Sequence, residues 1–107
     1  MAYKVLAQSN PSATTATTLY TVPASSASVI STITICNQAA TATYRIAVRP
    51  GGASLAAEHY VAYDIAIAAN DTTALTLGLT LAATDVVTVY ASSATLSFHA
   101  YGSEALA

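Results

Sequence analysis

The chain has 107 residues and 10.8 kDa, a length that supports one hydrophobic core and would starve a second, so residues 1–107 are expected to form a single domain. Charged residues make up 7% of it and hydrophobic residues 54%, with a mean hydropathy of +0.53 and a formal net charge of -2, against about 25% charged in an average soluble protein. Low charge with high hydrophobicity is the opposite of a disordered composition, and three cations, Lys4, Arg45 and Arg49, cannot line a duplex with the positive charge that phosphate binding requires, which argues against a nucleic-acid partner.

Taken in chain order, the apolar residues recur with period two, and Val, Ile, Thr and Tyr dominate the runs, which predicts strands rather than helices. Expected strands are Tyr3 to Gln8, Thr17 to Val22 and Ser28 to Cys36, separated by Asn10-Pro11-Ser12 and Pro23-Ala24-Ser25-Ser26. The cleanest run is Ala42 to Arg49. There Ala42, Tyr44, Ile46 and Val48 share one face, and Thr43, Arg45, Ala47 and Arg49 the other, before Pro50-Gly51-Gly52 breaks the strand. Ala53 to Glu58 has the composition for one helical turn and no more.

His59 to Ile67 repeats the alternation, with His59, Val61, Tyr63, Ile65 and Ile67 expected on the apolar face, and Asn70-Asp71 marking the turn that follows. Leu75, Leu77, Leu79 and Leu81 then alternate with Thr76, Gly78 and Thr80, and the internal Gly78 predicts a bulge or a close backbone approach. Val86 to Ala91 and Thr95 to Tyr101 complete eight short strands. No stretch between strands is long enough for a crossover helix, so pairing is expected to be antiparallel. The fold class is therefore all-β, an antiparallel sandwich or jelly roll without substantial helix. Leu75, Leu77, Leu79, Leu81, Ile33, Ile35, Ile46 and Val48 are the expected core.

The hydroxyl-rich remainder, 16 Thr and 11 Ser beside 25 Ala, interrupts every apolar window before about 18 residues, so no membrane span and no membrane partner are expected. MAYKVLAQSN has no apolar segment behind its lysine, which leaves synthesis in the cytoplasm as the expectation. The single Cys36 excludes an internal disulfide; it is expected as a free thiol at a core edge or subunit contact.

Chemistry-bearing residues are few. Cys36, His59 and His99 fall in separate strands, so no metal site is expected, and His59 reads as a hydrogen-bonded histidine beside the core or at a contact. His99 alternates with Leu96, Phe98 and Ala100 and is expected to face outward. No Gly-x-Ser-x-Gly elbow, phosphate loop or nucleotide fingerprint occurs, so neither an enzymatic activity nor a cofactor is expected. Glu58 and Asp64 are too far apart along one strand for paired acid and base work and read as a solvated face or as partners of Arg45 or Arg49. Asn70-Asp71-Thr72 matches a glycosylation acceptor in form but reads as a turn.

Arg45 and Arg49, at i and i+4 of one strand, are expected to project from the same face and are candidates for an interface that grips carboxylates or carbonyls of a neighbour. The alternative is a solvent-facing pair that keeps the strand from aggregating. Seven tyrosines with one Phe and no Trp add amphipathic surface, and Tyr44, Tyr60 and Tyr101 complete the interface candidates.

Thr18-Leu19-Tyr20-Thr21-Val22-Pro23-Ala24, then Val29-Ile30-Ser31-Thr32-Ile33-Thr34-Ile35-Cys36-Asn37, then Tyr44-Arg45-Ile46-Ala47-Val48-Arg49-Pro50 form an order of segments. With Leu77-Gly78-Leu79-Thr80-Leu81, Thr84 to Tyr90 and Phe98 to Glu104, that order resembles small structural proteins of tailed-bacteriophage virions, especially those of cyanophages and other aquatic phages. The resemblance implies a non-enzymatic virion protein made in the host bacterial cytoplasm. The leading expectation is a capsid decoration or cement protein, homo-oligomeric with a trimer favoured, bound to the major capsid protein. The alternative is a tail, baseplate, fibre-base or collar component bound to tail proteins. A carbohydrate or host-surface binding module is the more remote reading, disfavoured by the absence of Trp.

Overall fold

The computed structural model describes residues 3–106. The strands are β1 (Tyr3–Ser9), β2 (Thr17–Thr21), β3 (Ser26–Asn37), β4 (Ala42–Arg49), β5 (Tyr60–Ile67), β6 (Thr72–Leu81), β7 (Val86–Ala91) and β8 (Leu96–Leu106). They form two four-stranded sheets, in the orders β1-β8-β3-β6 and β2-β7-β4-β5, with every pair antiparallel. These interleaved orders are those of two Greek keys wound into a jelly roll. The expected limits of β4 and β7 match those observed. In place of one turn over Ala53 to Glu58, two short 3₁₀ segments form, at Pro50–Gly52 and Ala57–His59, so that His59 ends a turn and Tyr60 opens the strand.

The core lies between the sheets. Ile30, Ile33, Ile35, Leu96 and Phe98 from one sheet meet Tyr44, Ile46, Val87 and Val89 from the other, all buried. The Tyr44 ring stands edge-on to Phe98 at 6.3 Å and 76°, the geometry that the ring quadrupoles favour. At one end Asn37, 1% exposed, ties three connections together. Its Nδ2 donates to the carbonyls of Ala40 (2.8 Å), Ala68 (3.1 Å) and Ile67 (3.3 Å), while its Oδ1 accepts from the Ala39 amide and the Thr95 hydroxyl, both at 3.1 Å. An apolar side chain there would leave those loop groups without their partners.

Bulges set where side chains point. Each of the four strands at a sheet edge carries at least one extra residue relative to its neighbour: β1 between Val5 and Ala7, β2 between Thr18 and Tyr20, β6 opposite Ile30 to Thr32, and β5 twice. On β6 the bulge falls at Gly78, whose φ of +62° suits glycine. The chain's one lysine, Lys4, sits exposed on the edge strand β1; on every edge the bulges disrupt the open hydrogen-bonding row as well.

Those bulges overturn two of the expected faces. On β5 the alternation does not survive: Ala62 packs on the core while Val61, Tyr63 and Ile65 are exposed, and only Ile67 of the expected apolar face is buried. Asp64, at φ +51°, lies in the bulge that shifts the register. On β6 Leu77 is 36% exposed, not core, because it adjoins the Gly78 bulge at the sheet edge. Leu75, Leu79 and Val48 are partly buried; Leu81, Ile33, Ile35 and Ile46 are buried as expected.

Candidate functional site

The outer face of the β2-β7-β4-β5 sheet gathers most of the chemistry. Arg45 on β4 lies beside Asp64 in the β5 bulge, with Nε donating to Oδ1 at 2.6 Å and an Nη donating to Oδ2 at 3.3 Å. The same guanidinium sits 4.2 Å from the ring centres of both Tyr63 and Tyr90, so it is stacked between two π faces and clasped at its edge. The hydrogen bond to Asp64 raises the Arg45 pKa further above its ordinary value. Tyr60 meets Tyr63 edge-on at 4.9 Å and 85°. The bulge at Asp64 is what makes this cluster, since it sets Tyr63 and Asp64 side by side opposite Arg45.

Arg49 is engaged within the chain as well. Its Nε donates to the Thr88 hydroxyl at 3.1 Å, and one Nη to the carbonyls of Ala53 (3.0 Å) and Gly52 (3.3 Å). The arginines therefore do not project as a free pair: one braces the β4–β5 edge and the other holds the loop after β4 against β7. The anticipated pairing of Asp64 with an arginine is present, while Glu58 is exposed and apart from it. Tyr44 is withdrawn from the interface candidates, because at 1% exposure its side chain belongs to the core. Tyr60 and Tyr101 remain partly exposed on different sheets.

Between the loop after β4 and the start of β5, Leu55, Ala56, Ala57, Tyr60 and Tyr63 line an open depression of about 520 Å³. His59 does not reach an apolar face; its Nδ1 accepts from the Ala56 amide at 3.0 Å and closes the local turn. On the opposite sheet His99 faces outward as expected, bonded to Gln8 at 3.1 Å and stacked parallel to Tyr101 at 6.3 Å. Cys36 is a free, partly exposed thiol. Asn70 occupies a turn with φ +56°.

A polar cluster near the other end joins the sheets. The Tyr20 hydroxyl on β2 donates to the Glu104 carboxylate on β8 and shares a hydrogen bond of 2.7 Å with Ser28 on β3. Burial, and then the Glu104 contact, push the Tyr20 pKa up; burial alone does the same for Tyr44. Among the described residues no three His, Cys, Asp or Glu side chains lie close enough to share a metal ion, and no helix is long and apolar enough to cross a membrane.

Sequence reasoning missed the Tyr63–Arg45–Tyr90 stack and the depression beside it. Both depend on the register of β5, and the one available signal was an acidic residue, Asp64, inside an otherwise uncharged strand. No protein-family model, no curated protein and no solved structure matches the chain.

Proposed function

We propose that the chain is a non-enzymatic structural protein of a bacteriophage virion, seated on the capsid shell as a decoration or cement protein and assembled as a homo-oligomer, with a trimer favoured. The observation that carries this reading is a jelly-roll strand order combined with a surface whose charges are largely engaged inside the chain. Jelly rolls recur in viral capsid proteins, an analogy of fold that supports the class of function. Arg45 holds Asp64, Arg49 holds Thr88 and a loop, Asp85 accepts the amides of Gly51 and Ala82, and Glu104 accepts from Tyr20. What is left for a partner is mainly apolar and hydroxyl surface. Contacts of that kind are individually modest, and many copies on one particle multiply them. They also depend only moderately on salt, unlike an electrostatic cement.

A tail, baseplate, fibre-base or collar position is the alternative within the same class. A carbohydrate or host-surface module is the second reading, and the specific feature in its favour is the depression flanked by Tyr60 and Tyr63, since aromatic faces stack on sugars. Antibody-gold labelling of purified virions separates these readings. Label over the head supports the shell assignment, label confined to the tail moves the protein there, and unlabelled virions overturn the virion reading. Specific binding on a glycan array would favour the second reading.

A further inference from the structure

The sandwich is closed on one side and open on the other. β1 and β2 lie against each other at one lateral side, so β6 and β5, the far strands of the two orders, share the opposite side. There the core is incomplete. Leu75 and Leu79 pair with the fully buried Ile33 and Ile30, which places them on the inner face, yet both are only partly buried. Ile65 pairs with the buried Tyr44 and is still 44% exposed. Val61 and Leu77 add further exposed aliphatic surface on the same two strands.

We infer that this open side is where a second copy of this chain docks and completes the core; the inference rests on the homo-oligomeric part of the proposed function. Three features favour a like chain as the occupant. The only charged residue on β5 or β6 is Asp64, and Arg45 already neutralises it, so two such surfaces meet without like-charge repulsion and without calling for a partner of opposite charge. Both strands are bulged, which disfavours a partner that adds as an extra strand and favours contact between side chains. The exposed Val61, Ile65 and Leu77 lie with the partly buried Leu75 and Leu79 on these two strands, an aliphatic strip of the kind that marks a contact surface. With the exposed Thr72, Thr76 and Thr80 of β6 alongside, the strip has the apolar centre and polar border of a protein interface.

The test is the solution mass of the intact protein and of Ile65→Lys, Leu77→Lys and Val5→Lys, measured by light scattering at one protein concentration. Both seam positions are exposed enough for a lysine to reach water in a separated chain, whereas the same charge buried between subunits is costly. The wild type should run at a multiple of 10.8 kDa. The two seam variants should fall to the single-chain mass with unchanged far-ultraviolet circular dichroism, and Val5→Lys, on the closed side, should keep the assembly. A monomeric wild type, or seam variants of unchanged mass, overturns the inference, as does dissociation by Val5→Lys alone. If either lysine variant unfolds, Ile65→Thr replaces it and must lower the mass at the same concentration; an unchanged mass again overturns the inference. A monomer that is nevertheless found in virions sinks the seam and leaves the virion reading standing. An oligomer that dissociates through the seam but is absent from virions does the reverse.

Discussion

Replacing Gly102 by alanine is the sharpest single perturbation of this fold. Gly102 pairs with Ile30 in the β8–β3 ladder, at the center of the β1-β8-β3-β6 sheet, where β3 bulges between Ile30 and Thr32. A Cβ built on Gly102 would sit 1.8 Å from the Val29 carbonyl oxygen, 2.9 Å from the Val29 carbonyl carbon and 3.0 Å from the Ile30 Cα. All three are backbone atoms, so no side chain can rotate away, and the strands must part by more than an ångström. Overpacking of a rigid site costs about 1–3 kcal/mol. Each ladder hydrogen bond lost as the strands separate adds about 0.5–1.5 kcal/mol. Together these give about 3 kcal/mol or more. With a urea m-value of about 1–3 kcal/mol/M for a small domain, the unfolding midpoint should fall by about 1 M or more. Urea titration followed by circular dichroism, at one protein concentration for both proteins, reads this directly. An alanine variant with the parent's midpoint and m-value would mean that β3 and β8 do not approach at Gly102 as described.

Asn37→Ala should cost about 2–4 kcal/mol, since several loop groups lose their only side-chain partner in a buried setting; thermal unfolding checks it. Leu96→Ala, at a site with no exposure, should cost about 2–5 kcal/mol. Leu77→Ala should cost under about 1.5 kcal/mol when measured at a dilution that separates subunits, because its side chain already meets water. Arg45→Ala should move the thermal midpoint little, as for other exposed ion pairs, but should weaken the oligomer, because it leaves Asp64 unneutralised on β5; light scattering reads the second effect, and a large loss of midpoint would give the Tyr63–Arg45–Tyr90 stack a structural weight the geometry does not. Tyr20 and Tyr44 hold their protons to higher pH in the folded chain than the ordinary value of 10.0. Stability should therefore be at full strength below pH 10 and fall as the pH rises beyond it, and Tyr20→Phe with Tyr44→Phe should flatten that fall in alkaline urea titrations.

Strands whose alternation runs unbroken were legible from the sequence, and β4 is the clear case up to Ile46: Ala42, Tyr44 and Ile46 are buried between the partly exposed Thr43 and Arg45, whereas Ala47, expected to face outward, is covered and Val48 is only partly buried. β6 was half legible, because Gly78 announced its bulge but not that Leu77 would be tipped toward solvent. β5 was misread because a bulge inverts the parity of everything beyond it. Neither bulged stretch there contains glycine; Asp64 adopts the left-handed conformation itself. The functional candidates suffered from the same limit. Two cations at i and i+4 share a face in any strand, but whether they reach outward or bind within the chain depends on what neighbouring strands bring, here Asp64, Tyr63 and Tyr90 for one and Thr88 for the other. Tyr44 looked like surface by its residue type, although its place in the alternation with Ile46 already put it inside.

Counting this chain against the major capsid protein in purified virions, by quantitative mass spectrometry with isotope-labelled peptides, decides the shell assignment. A decoration protein predicts hundreds of copies per particle, in a fixed small-integer ratio to the shell subunits. A handful or a few dozen copies would contradict the shell assignment in favour of the tail, and none at all would contradict the virion reading altogether.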